Sequence, residues 1–347
     1  MPTIRDVARL AGVAPITVSR VINQSGYIRE ETEERVKAAI AQLGYVPNSL
    51  ARSLRSRQTS MLALVLTDIT NPFWTTLARG VEDAASDAGF NLILCNTDES
   101  VEEQERYIHV LLQKQVDGIL LVPAHTQPES IQFIQRQKVP VVILDRGVPG
   151  AHADVVRCDS VGGAYQLTRL LVSLGHCQIA ALLGPQGVST AEDRVAGYRL
   201  ALQEAGLSCL KDQVIYGEFT VDSGYRMAQQ ALGIQPRPTA FFAGNNFIAI
   251  GALKALRDAH LRVPEDLAVV GFDDLPVTMM VEPFLTVAAQ PAYEMGRCAT
   301  ELLLARLAGQ APAEYQEIIL PTELIIRHSS GGPTVVANVA DHNKLKD

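Results

Sequence analysis

The sequence predicts a multidomain chain: a small all-α head followed by a long α/β body in two lobes. Three features carry this: two short helical patterns meeting at Gly12, a basic segment after Gly44, and apolar strands alternating with helical patterns from Met61 onward.

In residues 3 to 23, TIRDVARLAGVAPITVSRVIN, apolar Ile4, Val7, Ala8 and Ala11 recur at helical spacing, and Val18, Val21 and Ile22 resume the pattern after a short break. Two helices sharing one small core follow, which is how a helix-turn-helix reads. Thr17, Ser19, Arg20 and Asn23 are left on the outer side of the second helix, whose size and polarity suit a DNA major groove, with Arg20 the candidate guanine contact. Ala14 stands where a capping Ser or Thr is expected before Pro15, although Pro suits the first helical position. An ordinary helical hairpin has the same pattern, so the downstream context decides between them. Residues 30 to 43, EETEERVKAAIAQL, form a third helix opened by acids and ended at Gly44.

No acid occurs from Tyr45 to Ser60, a linker built for phosphates. Up to Ser60 the chain holds nine Lys plus Arg against five Asp plus Glu, net +4, and the remainder carries −12 of the total −8. A basic head on an acidic body confines attraction to DNA to one end and makes it strongly salt-dependent.

Strands are expected at 61–66, 91–95, 118–122 and 141–144, and a second series at 179–183, 213–216, 239–243 and 267–272, with helices between. About 270 residues exceed the usual size of one core, so two parallel-sheet lobes are the natural reading. A ligand then sits between them at the strand ends, where open α/β sheets bind ligands. Polar and aromatic residues occupy those ends. After the first strand, TDITNPFW offers Asp68, Asn71, Phe73 and Trp74; Asp145 and Arg146 follow the fourth; Arg194 opens a helix after LLGPQGVSTAED; and Phe219, Asn245, Asn246, Asp273 and Gln290 fill comparable turns of the second lobe. Apolar rings with carboxylates, amides and arginines suit a polyhydroxyl ligand, the rings stacking on C–H faces and the polar groups satisfying hydroxyls that are costly to bury unpaired. Taken singly, each has a bland reading: Asp145 and Arg146 as a turn pair, Phe73 and Trp74 as a plug of the lobe's rim, Asp273 as a strand cap.

The order TIRDVARLAGVAPITVSRVIN, then GYVPNSLARSL, then a long α/β body resembles the LacI (lactose repressor) family of bacterial transcription regulators, from Thr3 to about His328. The resemblance implies a periplasmic-binding-protein-like body with chain crossings near 160, 290 and 322. It divides the chain into a DNA-binding domain over 1–46, a hinge helix and linker over 47–60, and an effector-binding domain over 61–328. In that domain the first lobe takes 61–160 and 291–321, and the second takes 161–290 and 322–328. It also implies a hinge helix over 48–56, paired across a dimer and folded on operator DNA; about nine residues are too few for a helix stable alone in water. Leu54 is then the wedge in the minor groove, with Arg52 and Arg55 on phosphates. The family pattern adds Thr3, Pro15, Ile16, Tyr45 and Asn48 to the expected contacts with pseudo-palindromic double-stranded DNA, Pro15, Ile16 and Arg20 setting half-site preference.

Phe73, Asp145, Arg146, Arg194, Phe219, Asn245, Asp273 and Gln290 match the pattern of ribose-binding relatives of this fold, which points to a ribose-like pentose or related monosaccharide as effector. Trp74 replaces a smaller phenyl ring, and Asn246 stands where sugar-responsive members carry Asp, so pentose against hexose is open. Purine-responsive members also use paired aromatics after the first strand and an Arg near 194, which makes a nucleobase the alternative. The expected outcome is allosteric repression relieved by ligand.

Other chemistry is weakly represented. Five Cys, at 95, 158, 177, 209 and 298, are odd in number and widely spaced, which suits buried free thiols in a reducing cytoplasm. No metal spacing occurs, and LLGPQGVS lacks the ending of a phosphate loop, so neither catalysis nor a cofactor is expected, and kinase or dehydrogenase readings fall away. No apolar run approaches the roughly 20 residues of a membrane helix and no signal-peptide core opens the chain, which favours a cytoplasmic regulator over a periplasmic-type sugar receptor. Residues 329–347, Gly-rich and then polar, lack tetramerising leucine heptads; a homodimer with a disordered tail is expected.

Overall fold

The computed structural model describes residues 2–23, 25–46, 59–275 and 283–331. It divides into two units, Met1–Thr59 and Ser60–Asp347.

Among the described residues of the first unit three helices form, α1 (Ile4–Ala11), α2 (Pro15–Ile22) and α3 (Glu30–Leu43). Val7, Ala8, Ala11, Val18, Val21, Val36 and Ala39 bury themselves in one small core, as the spacing predicts. Thr3 and Asp6 form a reciprocal capping box at the start of α1. Gly12 ends that helix at φ 65°, a left-handed turn that glycine adopts without strain. There Arg35 of α3 donates to the carbonyls of Ala11 and Gly12, tying the turn to the third helix. At α2 the sequence irregularity is real, because Ala14 offers no capping hydrogen bond and Pro15 occupies the first turn.

The second unit contains two six-stranded sheets. The first lobe holds β1 (Met61–Leu66), α4 (Pro72–Asp87), β2 (Asn91–Asn96), α5 (Val101–Gln113), β3 (Gly118–Leu121), α6 (Glu129–Arg136), β4 (Val141–Leu144) and β5 (Asp154–Cys158). Next come α7 (Ser160–Ser173), β6 (Ile179–Leu183), α8 (Ser189–Glu204), β7 (Val214–Tyr216), α9 (Val221–Leu232), β8 (Ala240–Ala243), α10 (Asn246–Asp258), β9 (Ala268–Phe272) and β10 (Thr286–Ala289) in the second lobe. Helix α11 (Ala292–Leu307) and β11 (Glu317–Leu320) return to the first, and β12 (Glu323–Ile325) closes the second. The strand orders are β11-β5-β4-β3-β1-β2 and β12-β10-β9-β8-β6-β7. Every pairing is parallel except β10 with β12. Central strands β3, β4, β6, β8 and β9 are buried along their whole length, covered on both faces, which is why they read as apolar runs without alternation.

The chain crosses between sheets after Cys158, after Ala289 and after Leu320, at the three places the family resemblance implies. The first two crossings each deliver a helix to the other lobe: α7 packs on α8 in the second lobe and α11 on α4 in the first, with glycine at both contacts. A Cβ on Gly80 would lie 2.1 Å from the Tyr293 carbonyl oxygen, and one on Gly197 2.1 Å from that of Val161.

Two expectations need correction. The body does not end at His328, because Ser329 and Ser330 are fully buried in a 3-10 turn. Ser329 Oγ accepts from the Thr286 amide at 2.8 Å and donates to the Val269 carbonyl at 2.6 Å, closing off β9 and β10, so the body extends past His328. The cysteines are only partly buried: Cys95 and Cys158 are inside, Cys177 is exposed, and Cys209 and Cys298 are half-covered. Cys177 and Cys209 lie in connections rather than in the apolar elements beside them.

Candidate functional site

On the head, α2 exposes Pro15, Ile16 and Arg20, with Thr17 and Ser19 half-buried and Asn23 exposed at its end, where its amide donates to Ser19 Oγ at 3.2 Å. Ile16 is 57% exposed, so its side chain is open on the outer face of α2. No side chain caps α2 at Ala14, Pro15 brings no N–H, and the Thr17 amide donates to the Ala14 carbonyl at 2.9 Å, so the positive end of the helix dipole carries no side-chain cap. Two of the expected contact residues have structural duties: Thr3 caps α1, and Tyr45 packs half-buried on the head's core. Asn48, Arg52, Leu54 and Arg55 lie outside the described residues.

In the body, a cavity of about 400 Å³ opens between the carboxyl ends of the two sheets. Phe73, Trp74, Asp145, Arg146, Arg194, Phe219, Asn245, Asp273 and Gln290 all line it, each delivered by the segment after a strand. The chain order 2-1-3-4-5 reverses direction beside β1 and β6, the switch point at which open sheets leave a crevice. Asn71 caps α4 by accepting from the Phe73 amide at 3.0 Å, which sets Phe73 and Trp74 edge to face, ring centroids 4.7 Å apart, at the cavity wall. Phe219 lies on the backbone of Gly184 so closely that a Cβ there would meet its ring at 2.1 Å. Arg194 lies in the second turn of α8 and does not open it, since the helix already starts at Ser189. Its guanidinium donates to the Gly244 carbonyl and rests 4.0 Å over the Phe272 ring.

Asn246 departs from expectation. It is fully buried and does not line the cavity; its amide exchanges two hydrogen bonds, both 3.0 Å, with Asn71 of the opposite lobe. The missing acid at this position therefore leaves no gap in the cavity wall, because a neutral amide can donate and accept at once where a carboxylate only accepts. Further bridges between lobes run from the Gly147 amide to Ser189 Oγ, 2.9 Å, and from Arg157 to Asp193, 3.1 Å.

Sequence reading also missed lining residues, chiefly Thr67, Asp98, Glu99 and Glu218. The signal was present for the first three: Thr67 directly follows β1, and Asp98 and Glu99 follow β2 as Asp145 follows β4.

The electrostatics are those of a charged pocket with buried walls. Asp145 is buried, and burial pushes its carboxyl up to about 6 against the pull of Arg194 and Arg146. Burial likewise raises Asp273, opposed by Arg194 and by the amide of Gln290, which donates to it. Five buried side-chain atoms have no hydrogen-bond partner among the described residues: Thr67 Oγ1, Asp145 Oδ1, Arg146 Nε, Arg194 Nε and Gln290 Oε1. All five belong to residues lining this one cavity. Among the described residues no cluster of His, Cys, Asp or Glu is arranged to hold a metal ion, and no helix is long and apolar enough to cross a membrane.

A helix-turn-helix head and a two-lobed body with a polar cleft between its sheets define a class: a DNA-binding regulator governed by a small ligand. Residues 3–48 match the model of bacterial regulatory proteins of the lacI family, and residues 59–328 that of periplasmic binding proteins and the sugar binding domain of the LacI family. The chain is 38% identical over 331 residues to the ribose operon repressor of Escherichia coli (strain K12), covering 95% of this chain and 100% of that one. Among solved structures it resembles a transcriptional regulator CelR–cellobiose complex, with 38% identity, TM-score 0.73 and coverage of 95% and 100%. It also resembles the lac repressor dimer bound to operator and the anti-inducer ONPF, with 28% identity, TM-score 0.83 and coverage of 95% and 99%. This chain belongs to the LacI family of bacterial transcription regulators. It is a ligand-responsive, DNA-binding repressor and not an enzyme.

Proposed function

We propose that the cleft binds a sugar, a ribose-like pentose or related monosaccharide, and that binding releases the repressor from its operator. The five orphaned atoms carry this reading: two donors, two acceptors and one hydroxyl converge on one cavity. A buried polar atom without a partner costs about 1–3 kcal/mol, so a ligand that satisfies several gains several such increments. A sugar hydroxyl both donates and accepts, and the rings of Phe73, Trp74 and Phe219 supply surfaces for its C–H faces. The cavity lies toward the small end of ligand pockets, about 300–1,000 Å³. Relatives named for the ribose operon and for a cellobiose complex are in keeping with a sugar. The edge-to-face pair of Phe73 and Trp74 favours a second reading, a planar nucleobase held against the rings. Calorimetric titration with ribose, hexoses, cellobiose and hypoxanthine separates the two; micromolar binding of hypoxanthine with none of any sugar would overturn the sugar.

At the DNA end, α2 is the recognition helix of a homodimer, with Thr17, Ser19, Arg20 and Asn23 toward the bases. Arg20→Ala should cost about 1–3 kcal/mol of operator affinity, concentrated at one base position, and leave effector titrations unchanged. The hinge reading makes Leu54 the minor-groove wedge, so Leu54→Ala should weaken operator binding more than effector binding; equal losses of both contradict it.

A further inference from the structure

Arg146 stands in the cleft wall with a buried side chain, but its fork is occupied. Nη1 donates to Glu99 Oε2 at 2.6 Å and to the Pro123 carbonyl at 2.9 Å, and Nη2 donates to Glu99 Oε1 at 2.6 Å. Only Nε lacks a partner. We propose that Glu99 is a specificity residue: by holding both terminal nitrogens of Arg146 it restricts the cleft to uncharged polyhydroxyl ligands and shuts out their phosphorylated or carboxylated forms. This rests on the cleft being a sugar site.

Recognition of a phosphate or carboxylate relies on two parallel N–H groups of a free guanidinium fork. Glu99 and Pro123 take three of the five N–H groups of Arg146, its terminal pair included, and the Glu99 carboxylate at 2.6 Å neutralises its charge. Arg194, the other guanidinium of the wall, spends Nη1 on the Gly244 carbonyl and lays its face on Phe272, beside both Asp145 and Asp273. Among the described residues six carboxylates line the cavity, from Asp68, Asp98, Glu99, Asp145, Glu218 and Asp273, against these two guanidiniums, with no Lys or His. An entering anion meets net negative charge in a low-dielectric space, with Arg146 neutralised by Glu99 and Arg194 set in the field of Asp145 and Asp273. A neutral sugar can take the Nε–H that Arg146 leaves open without meeting that charge penalty.

The backbone holds Glu99 to this task. Asp98 and Glu99 lie at φ 50° and 60°, consecutive left-handed residues that are not glycine, a conformation costing about 1–2 kcal/mol per residue. Ser100 fixes the exit of that loop by capping α5, its hydroxyl accepting from the Glu103 amide at 3.2 Å. The carboxylate is thus presented to Arg146 by a shaped turn, as expected of a positioned group and not of a chance surface pair.

The test titrates the full chain and its Glu99→Gln and Glu99→Asp variants with ribose, ribose 5-phosphate and inorganic phosphate, by calorimetry and thermal shift. The wild type should bind the neutral sugar about 100-fold more tightly than its phosphate and show no thermal shift with inorganic phosphate. Glu99→Gln, which frees part of the fork, should narrow that ratio about tenfold and acquire a shift with inorganic phosphate. Glu99→Asp keeps the charge and should keep the rejection; Glu99→Ser, which leaves room for water on the freed nitrogens, replaces Gln if that variant folds badly. Wild-type affinity for ribose 5-phosphate equal to or above that for ribose, or an unchanged ratio in Glu99→Gln, overturns the proposal. If no neutral sugar binds the wild type, the sugar reading fails by itself, and the inorganic-phosphate arm still decides the masking: a response confined to Glu99→Gln supports it, equal responses refute it.

Discussion

The two lobes are built alike, and at the fourth strand of each the chain does the same thing. Asp145 after β4 and Asp273 after β9 both take left-handed backbone, φ 64° and 66°, and both donate their amides to the neighbouring strand, to the carbonyls of Val156 and Ala288. Two carboxylates therefore face one cavity from opposite walls. They differ in what is already bound to them. Asp273 receives the amide of Gln290, and its neighbour Asp274 is clamped by Arg327 through two bonds of 2.6 and 2.7 Å. Asp145 keeps Oδ1 unpaired, and its neighbour is the Arg146 that Glu99 holds. One backbone device thus yields a pre-loaded wall in the second lobe and an open acceptor in the first. On the proposed sugar reading, this asymmetry predicts that the first lobe carries the largest share of ligand recognition.

That contrast is open to breaking. Asp145→Asn should have the largest effect, weakening effector about 100-fold, because a charged acceptor is lost where no protein group substitutes for it. The pH dependence of effector binding reports the same group. Burial raises Asp145 from 3.8 to about 6, so the native state binds more protons than the unfolded one between those values, and its contribution to stability falls as pH rises through that window, by about 3 kcal/mol in all. A ligand donating to the carboxylate lowers this value. Affinity should therefore be highest above pH 6, fall toward a limit of about tenfold per unit below it, and be accompanied by proton release near pH 6; calorimetry in buffers of different ionisation enthalpy reads both. Asp273→Asn should cost only about tenfold, since Gln290 already uses one of its oxygens. Equal losses at 145 and 273 would show that the asymmetry has no functional weight. Smallest is Asn246→Ala, which removes the reciprocal bridge to Asn71 and should weaken effector about threefold to tenfold without touching the cavity wall. Asn246→Asp keeps one of the two bonds and should fall between Ala and wild type.

Legibility followed the range of the interactions. The head was readable because seven small apolar residues at helical spacing form the buried centre of its core within about forty residues of chain. The first four strands of each lobe were readable as short apolar runs, since both faces are covered by helices. Strands β5, β10, β11 and β12 were not assigned, and they are the ones whose pairing joins distant segments: β11 beside β5 and β12 beside β10. Their patterns are short and mixed, with Glu317 and Ile319 outward on an edge. The cleft residues were visible as polar groups after strands, and nine of them meet at one cavity. Asn246 was placed in the wall because it follows Asn245, yet as the first residue of α10 it points to the other lobe, a matter of helix phase that spacing alone does not fix. Glu99 was missed because its importance lies in Arg146, which is 47 residues away in the chain.

The central claim is that a ligand in the cleft controls the head. It is tested most directly by measuring operator affinity of the full chain with and without saturating ribose, and sugar affinity with and without operator. The account predicts weaker operator binding with sugar, by about 5- to 150-fold, and the same factor in the reverse experiment. Operator affinity that is unchanged or tightened by a sugar that demonstrably binds would contradict it.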